Sequence, residues 1–229
     1  MGDRCPIGLF GKPIYVMLVR SMKRHLSIVL GVALLINGFV VLSFYLSVSP
    51  IGTDLFMLIA TFAILPILSA FLLIPLALIF LIWSRFRTTA LTVLLGCVIY
   101  LSIGIPSITL AGAVRRSGFV QLAHRSRPLV SAIKEFESRY GEPPPTLESL
   151  VPEFLPAVPN TGMGAYPAYR YSLLKDGVAY EGNPWVLRVD TPTGALNWDA
   201  FLYLPKQNYP TVGYGGVLER IEDWAYIHE

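Results

Sequence analysis

The chain has 229 residues, of which 54% are hydrophobic and only 14% charged, and its 18 basic against 15 acidic side chains leave a net charge of +3. A soluble domain averages about 25% charged residues, so neither an ordinary water-soluble globular protein nor a disordered chain fits. The mean hydropathy of +0.56 is unevenly spread. Residues 1–112 carry 7 basic and 2 acidic groups, residues 113–229 carry 11 and 13. The basicity is therefore no nucleic-acid signature, and no nucleic-acid partner is expected.

Arg4, Lys12, Arg20, Lys23 and Arg24 fall within residues 1–25, ahead of the first apolar run. Three runs follow, Leu26 to Val48, Leu55 to Trp83 and Thr89 to Ala113, none with Asp, Glu, Lys, Arg or His. Each meets the requirement of about 20 helical residues for a hydrocarbon core. Residues 26–113 thus read as a three-helix membrane anchor, with the lipid bilayer as its partner. The short connections at 49–54 and 84–88 make successive helices antiparallel. Arg85 and Arg87 in the second connection, with the basic N-terminus, orient the N-terminus to the cytoplasm of a bacterial inner membrane and residues 114–229 to the periplasm. Arg115 and Arg116, just past the third run, are the charges that argue against this orientation.

The first run is read as a span rather than a cleaved signal peptide. It is long for a signal core, and its small-residue site, Ser47-Val48-Ser49, is followed by Pro50. Cys97, in Leu94-Leu95-Gly96-Cys97, is a small buried helix residue on this reading, and Cys5 lies across the membrane surface from it, so no disulfide is expected. Asn37, Pro66, Pro75, Gly104 and Pro106 are the polar or kink-forming residues in the spans. Without ionisable groups they indicate packing rather than a transport path.

In residues 118–140 the apolar positions Phe119, Leu122, Ala123, Leu129, Val130, Ile133, Phe136 and Tyr140 alternate with charged ones at helical spacing, one stripe of a helix. Pro128 leaves open whether this is one kinked helix or two, with Ser126 as N-cap of the second. Gly141 is the expected C′ residue. Glu142-Pro143-Pro144-Pro145 is a stiff linker, and Thr146 to Val151 a short helix capped by Thr146 and stopped by Pro152. Tyr169 to Leu174, Trp185 to Asp190 and Phe201 to Leu204 read as antiparallel strands separated by Asp176-Gly177, Gly182-Asn183-Pro184 and Pro192-Thr193-Gly194. Trp224 and Tyr226 alternate as in a final strand. The expected architecture is a helical membrane anchor plus a small α+β domain, a long helix packed on an antiparallel sheet, over residues 114–229.

The run from Leu129 to Pro143, followed by Pro145 to Pro156, resembles the headpiece of type II secretion pseudopilins and related type IV pilin-like proteins. The likeness extends over about residues 118–205, closely for some forty residues and in outline for the sheet. It implies the α+β fold and contact with secretion or pilus machinery. It also directs attention to a calcium site in the acidic loops, for which the residues are Asp176, Asp190, Asp199, Glu222 and Asp223. Only Glu222-Asp223 is a dense acidic pair, and calcium needs six to eight oxygens, so no metal is expected. Pilin-like subunits carry a glutamate early in a single apolar helix behind a leader glycine. Neither Gly8 nor Gly11 precedes such a helix, and Thr89 to Ala113 holds no glutamate.

No catalytic constellation emerges. His25, His124 and His228 are scattered, Glu135 with Glu137 and Glu148 with Glu153 look like solvated faces, and Gly213-Tyr214-Gly215-Gly216 lacks the lysine and helix of a phosphate loop. The loop reads instead as a turn or bulge. Sixteen aromatic residues fall in the C-terminal part, among them Tyr166, Tyr169, Tyr171, Trp185, Trp198, Tyr203 and Tyr209. Most are expected in the core, and several exposed on one face would mark a binding surface. The leading expectation is a non-enzymatic inner-membrane protein, without cofactor, whose exported headpiece is an interaction module accessory to secretion or pilus machinery. The alternative is a membrane-anchored ligand-binding or sensor domain, using the aromatics and glycines from Tyr209 to Gly216.

Overall fold

The computed structural model describes residues 11–174, 179–194 and 197–228. The apolar runs form α1 (Gly11–Ser47), α2 (Asp54–Thr61), α3 (Ile64–Phe80) and the first part of α4 (Arg87–Tyr140). Three helical stretches, Arg20–Ser47, Asp54–Phe80 and Ser84–Tyr140, are long and apolar enough to cross a membrane. The second is interrupted between α2 and α3. Pro66, in the first turn of α3, has no N–H to give to the Phe62 carbonyl and its ring crowds that position, so the helix restarts there. Leu35, Phe71, Leu72 and Leu78 are among many large apolar side chains left exposed on these helices, the arrangement expected where lipid rather than protein covers them.

By internal contacts the chain forms two units, residues 1–39 with 63–108, and residues 40–62 with 109–229. In the first, Asn37 is buried and its amide donates back to the Ala33 carbonyl at 2.8 Å, which satisfies the polar group within its own helix. Cys97 is buried, as expected of a small helix residue; Cys5 lies outside the described residues.

The second unit is the α+β domain. α4 is one unbroken 54-residue helix, so the open question at Pro128 resolves to a single piece and Ser126 is not an N-cap. Pro128 is tolerated because it and His124, four residues earlier, lie on the exposed face, where water can take the orphaned His124 carbonyl. Ser126 is instead fully buried on the apolar stripe. Its hydroxyl bonds the Leu122 carbonyl at 2.7 Å and the Tyr169 hydroxyl at 2.8 Å. Gly141 ends the helix at φ +78° with its N–H on the Glu137 carbonyl. The prolines lead to a 3-10 turn at Leu147–Leu150, whose Thr146 makes no side-chain cap bond to the backbone.

Six strands follow: β1 (Arg170–Leu173), β2 (Trp185–Asp190), β3 (Ala200–Tyr203), β4 (Val212–Gly213), β5 (Gly216–Ile221) and β6 (Trp224–His228). They pair antiparallel throughout in the order β1-β2-β3-β6-β5-β4. The period of two sends Trp185, Leu187, Val189, Phe201, Tyr203, Trp224 and Tyr226 to the face that meets Phe119, Leu122, Leu129, Val130 and Ile133 of α4. Ring stacking continues across this face, Phe119 on Phe201 at 5.0 Å and Phe201 on Trp224 at 4.9 Å. The opposite face buries Val186, Ala200, Leu202 and Ile227 under Tyr180, Tyr209 and Leu218. Trp185 to Asp190 coincides with β2, while β4 and β5 were not expected; the Asp176-Gly177 turn lies outside the described residues. Within this unit the shape is pilin-like: the later part of a long helix laid on an antiparallel sheet.

Candidate functional site

A cavity of about 480 Å³ opens in this unit beside α4. Ligand pockets run from roughly 300 to 1,000 Å³, so a small molecule fits. Phe44 of α1, Gly112, Ala113, Arg115, Arg116 and Phe119 of α4, Thr193, Asn197 and Asp199 of the β2–β3 loop, and Glu219, Ile221, Tyr226 and His228 of β5 and β6 line it.

Arg115 is its most unusual group. Counting from Phe119 and Leu122, it stands four and seven residues back, on the buried stripe of α4, and it is 4% exposed. A guanidinium out of water is costly unless its donors and charge are met. Three rings surround it, Phe119 at 4.9 Å, Tyr166 at 5.6 Å and Tyr226 at 5.7 Å from the guanidinium carbon, so cation–π attraction supplies part of what water would. One Nη donates to the Tyr166 hydroxyl at 3.2 Å and the other to the Thr191 carbonyl. Its Nε–H has no acceptor, and no carboxylate lies within ion-pair distance among the described residues.

The β2–β3 loop is held around this cation. The Tyr166 hydroxyl donates to the Pro192 carbonyl at 2.9 Å. Asn197 Oδ1 accepts from the backbone N–H groups of Thr193 and Asp199, and the Thr191 N–H reaches the Asp199 carbonyl at 2.9 Å. Asp199 is as buried as Arg115, and its carboxylate accepts from the Tyr226 and Thr193 hydroxyls. Burial, aided by the neighbouring Asp199 charge and opposed by Arg115, raises the Tyr226 phenol well above its ordinary value. It therefore stays protonated, a hydrogen-bond donor, at neutral pH. At the more exposed part of the lining Arg116 pairs with Glu219, and His228 Nε2 lies 3.0 Å from the same carboxylate. The polar groups thus hold one another, while Phe44, Ala113, Phe119 and Ile221 supply apolar wall.

The residues singled out from the sequence are dispersed. His25 bonds the Ser21 carbonyl on α1 and His124 is exposed on α4, so only His228 reaches the cavity. Glu135 and Glu153 both meet Arg139, and Glu137 accepts from the Trp185 indole at 3.3 Å. Asp190 pairs with Arg170 and Arg188, Asp199 belongs to the cavity, and Glu222 and Asp223 form the β5–β6 turn. Among the described residues no three His, Cys, Asp or Glu come together as a metal site; Asp176 lies outside them.

Gly213 and Gly216 pair at the end of the β4–β5 hairpin, and Tyr214 at φ +54° and Gly215 at +95° form its turn. Most of the aromatics named from the sequence fill the core, and of those seven Trp198, at 69%, is the exposed one. Tyr209 is half-buried: its hydroxyl donates to the Asp223 carbonyl and accepts from the Leu204 N–H. Tyr214 is half-buried too, with its ring stacked on Tyr180 at 4.9 Å.

Arg115 was missed because it was counted only as a flanking charge. The signal was available: 115, 119, 122, 126, 129 and 133 continue one helical stripe, with an arginine and a serine at apolar positions. Comparison with known proteins gives no match, whether to a family model, a curated protein or a solved structure.

Proposed function

We propose that the chain is a membrane-anchored, non-enzymatic ligand-binding or sensor protein. Its helices hold it in a bacterial inner membrane with the N-terminus in the cytoplasm, and its α+β domain samples the periplasm. The observation that carries the ligand-binding reading is the Arg115 cavity, where a buried cation faces a small-molecule-sized space. Its carboxylates are occupied by internal donors, so the lining recognises rather than reacts. The orientation is supported by Arg115 itself. Buried among rings, it does not count as a flanking charge, which weakens the objection to an outward C-terminal domain.

The test is a thermal-shift screen of small polar metabolites on the full-length protein in neutral-lipid nanodiscs, with Gly112→Leu as a control that obstructs the cavity. Ligands that stabilise the wild type and not the variant are expected. A screen without any such compound removes the ligand-binding reading. Alkaline phosphatase fused after residue 229 reports the compartment separately, and an inactive fusion overturns the periplasmic assignment.

A second reading is favoured by the pilin-like shape: an interaction module accessory to secretion or pilus machinery. In-cell crosslinking that recovers such components only when residues 113–229 are present would support it, and a blank would remove it.

A further inference from the structure

We propose that the Arg115 cavity binds an oxyanion, a carboxylate or phosphate, carried by a small amphiphile. This rests on the ligand-binding reading above and names the chemistry of the ligand.

The hydrogen-bonding capacity left open in the cavity decides its preference. Asp199 already accepts two hydroxyl donors, from Tyr226 and Thr193. Glu219 already faces Arg116 and His228. Arg115, in contrast, is 4% exposed and has no carboxylate partner among the described residues. Among the described residues its Nε–H is a buried donor without an acceptor. A ligand that brings an oxygen anion supplies the missing acceptor and a counter-charge beside the guanidinium, whereas a cationic ligand offers the Nε–H no acceptor.

The walls decide the rest of the ligand. Phe44, Ala113, Phe119 and Ile221 offer apolar contact, and Phe44, Gly112 and Ala113 belong to the last turns of two apolar runs. A short hydrocarbon body beside the anion matches this lining. At Gly112, which lines the cavity, no described atom beyond the helix's own backbone lies within 4 Å of where a Cβ would stand, so a larger side chain has room there.

The anion has two sources, a free amphiphile or the headgroup of an anionic lipid, and the experiment separates them. Full-length protein is placed in phosphatidylcholine nanodiscs and its thermal midpoint followed with added decanoate or inorganic phosphate, and in discs containing phosphatidylglycerol. Decanol and decylammonium are the neutral and cationic controls. The expected result is stabilisation by decanoate, by phosphate or by phosphatidylglycerol. Apparent affinity should fall roughly 10- to 100-fold in Arg115→Gln, the loss of one charge-assisted bond.

Gly112→Leu should abolish the shift while leaving the fold intact, since a helix gains from losing a glycine, and it decides the matter if the Arg115 variant does not fold. A shift with the free probes in neutral discs assigns the site to a free oxyanion, and one confined to phosphatidylglycerol discs assigns it to lipid. Stabilisation by decanol or decylammonium alone, lost in Gly112→Leu, overturns the oxyanion proposal and leaves the ligand-binding reading standing. Shifts that survive Gly112→Leu overturn the site, and no shift with any probe overturns the proposal.

Discussion

The Tyr226 ring lies 5.7 Å from the Arg115 guanidinium, while its hydroxyl donates to the Asp199 carboxylate. One side chain thus stands between the buried cation and the buried anion of the unit and contacts each through a different part. The ring offers its negative face to Arg115 and the polar edge turns to Asp199.

Tyr226→Phe therefore separates the two roles. The ring and its cation contact remain, but Asp199 loses a donor and keeps the Thr193 hydroxyl at 3.2 Å. Leaving a buried carboxylate short of one hydrogen bond costs about 1–3 kcal/mol. The expected outcome is a lower thermal midpoint with an unchanged far-ultraviolet spectrum. A midpoint equal to wild type would show that the Asp199 network does not hold the β2–β3 loop.

Close packing within the same unit gives a second prediction. A methyl placed on Gly118 would overlap the Val48 side chain. Helix propensity alone favours Gly→Ala by about 0.8–1.0 kcal/mol, but overpacking typically costs about 1–3 kcal/mol. Gly118→Ala should therefore destabilise despite its propensity gain. Val48→Gly in the same chain, which removes the Cβ that the new methyl meets first, should restore stability to at least that of Val48→Gly alone. Additive losses in the double-mutant cycle would contradict the contact.

These relationships mark where sequence reading reached and where it stopped. The stripe Phe119 to Ile133 and the strands at Trp185 and Phe201 were legible because apolar periodicity is written directly into side-chain order. The continuity of α4 was not, since Arg115-Arg116 and Pro128 are both end-of-helix signals. Their local meaning was overridden by ring stacking around Arg115 and by solvent access at His124. β5 escaped because its alternation, Val217 and Glu219 against Leu218 and Arg220, carries few large apolar residues and follows a glycine cluster. The cavity was the least legible feature. Its lining comes from α1, α4, the β2–β3 loop, β5 and β6, so no local spacing announces it.

The β5–β6 turn provides a third prediction. Glu222 sits at φ +57°, in the left-handed region that Asn tolerates better than Glu. Its ion pair with Arg127 spans 3.8 Å between exposed side chains and contributes little. Glu222→Asn is expected to stabilise the domain, by about 0.5–1 kcal/mol of relieved backbone strain. Equilibrium unfolding in denaturant measures it, and a loss of stability would indicate that the Arg127 contact outweighs the turn.

Alkaline titration tests the buried phenols. Burial raises Tyr171, Tyr209 and Tyr226 well above the ordinary value of 10.0, and brings Tyr214 to about 12. For a phenol whose folded value exceeds its unfolded one, the unfolded chain releases its proton first. The contribution to stability is then complete below pH 10.0 and declines as pH rises toward the folded value. Tyrosinate absorbance should therefore lag behind that of the urea-unfolded chain between pH 10 and about 12. The missing signal should then emerge together with loss of near-ultraviolet circular dichroism. Tyr209→Phe removes one of these phenols and, with it, the bridge from Asp223 to Leu204. It should lower stability at neutral pH and reduce the lagging absorbance by one tyrosine. Full ionisation of all tyrosines near pH 10 without unfolding would show that these hydroxyls are open to solvent.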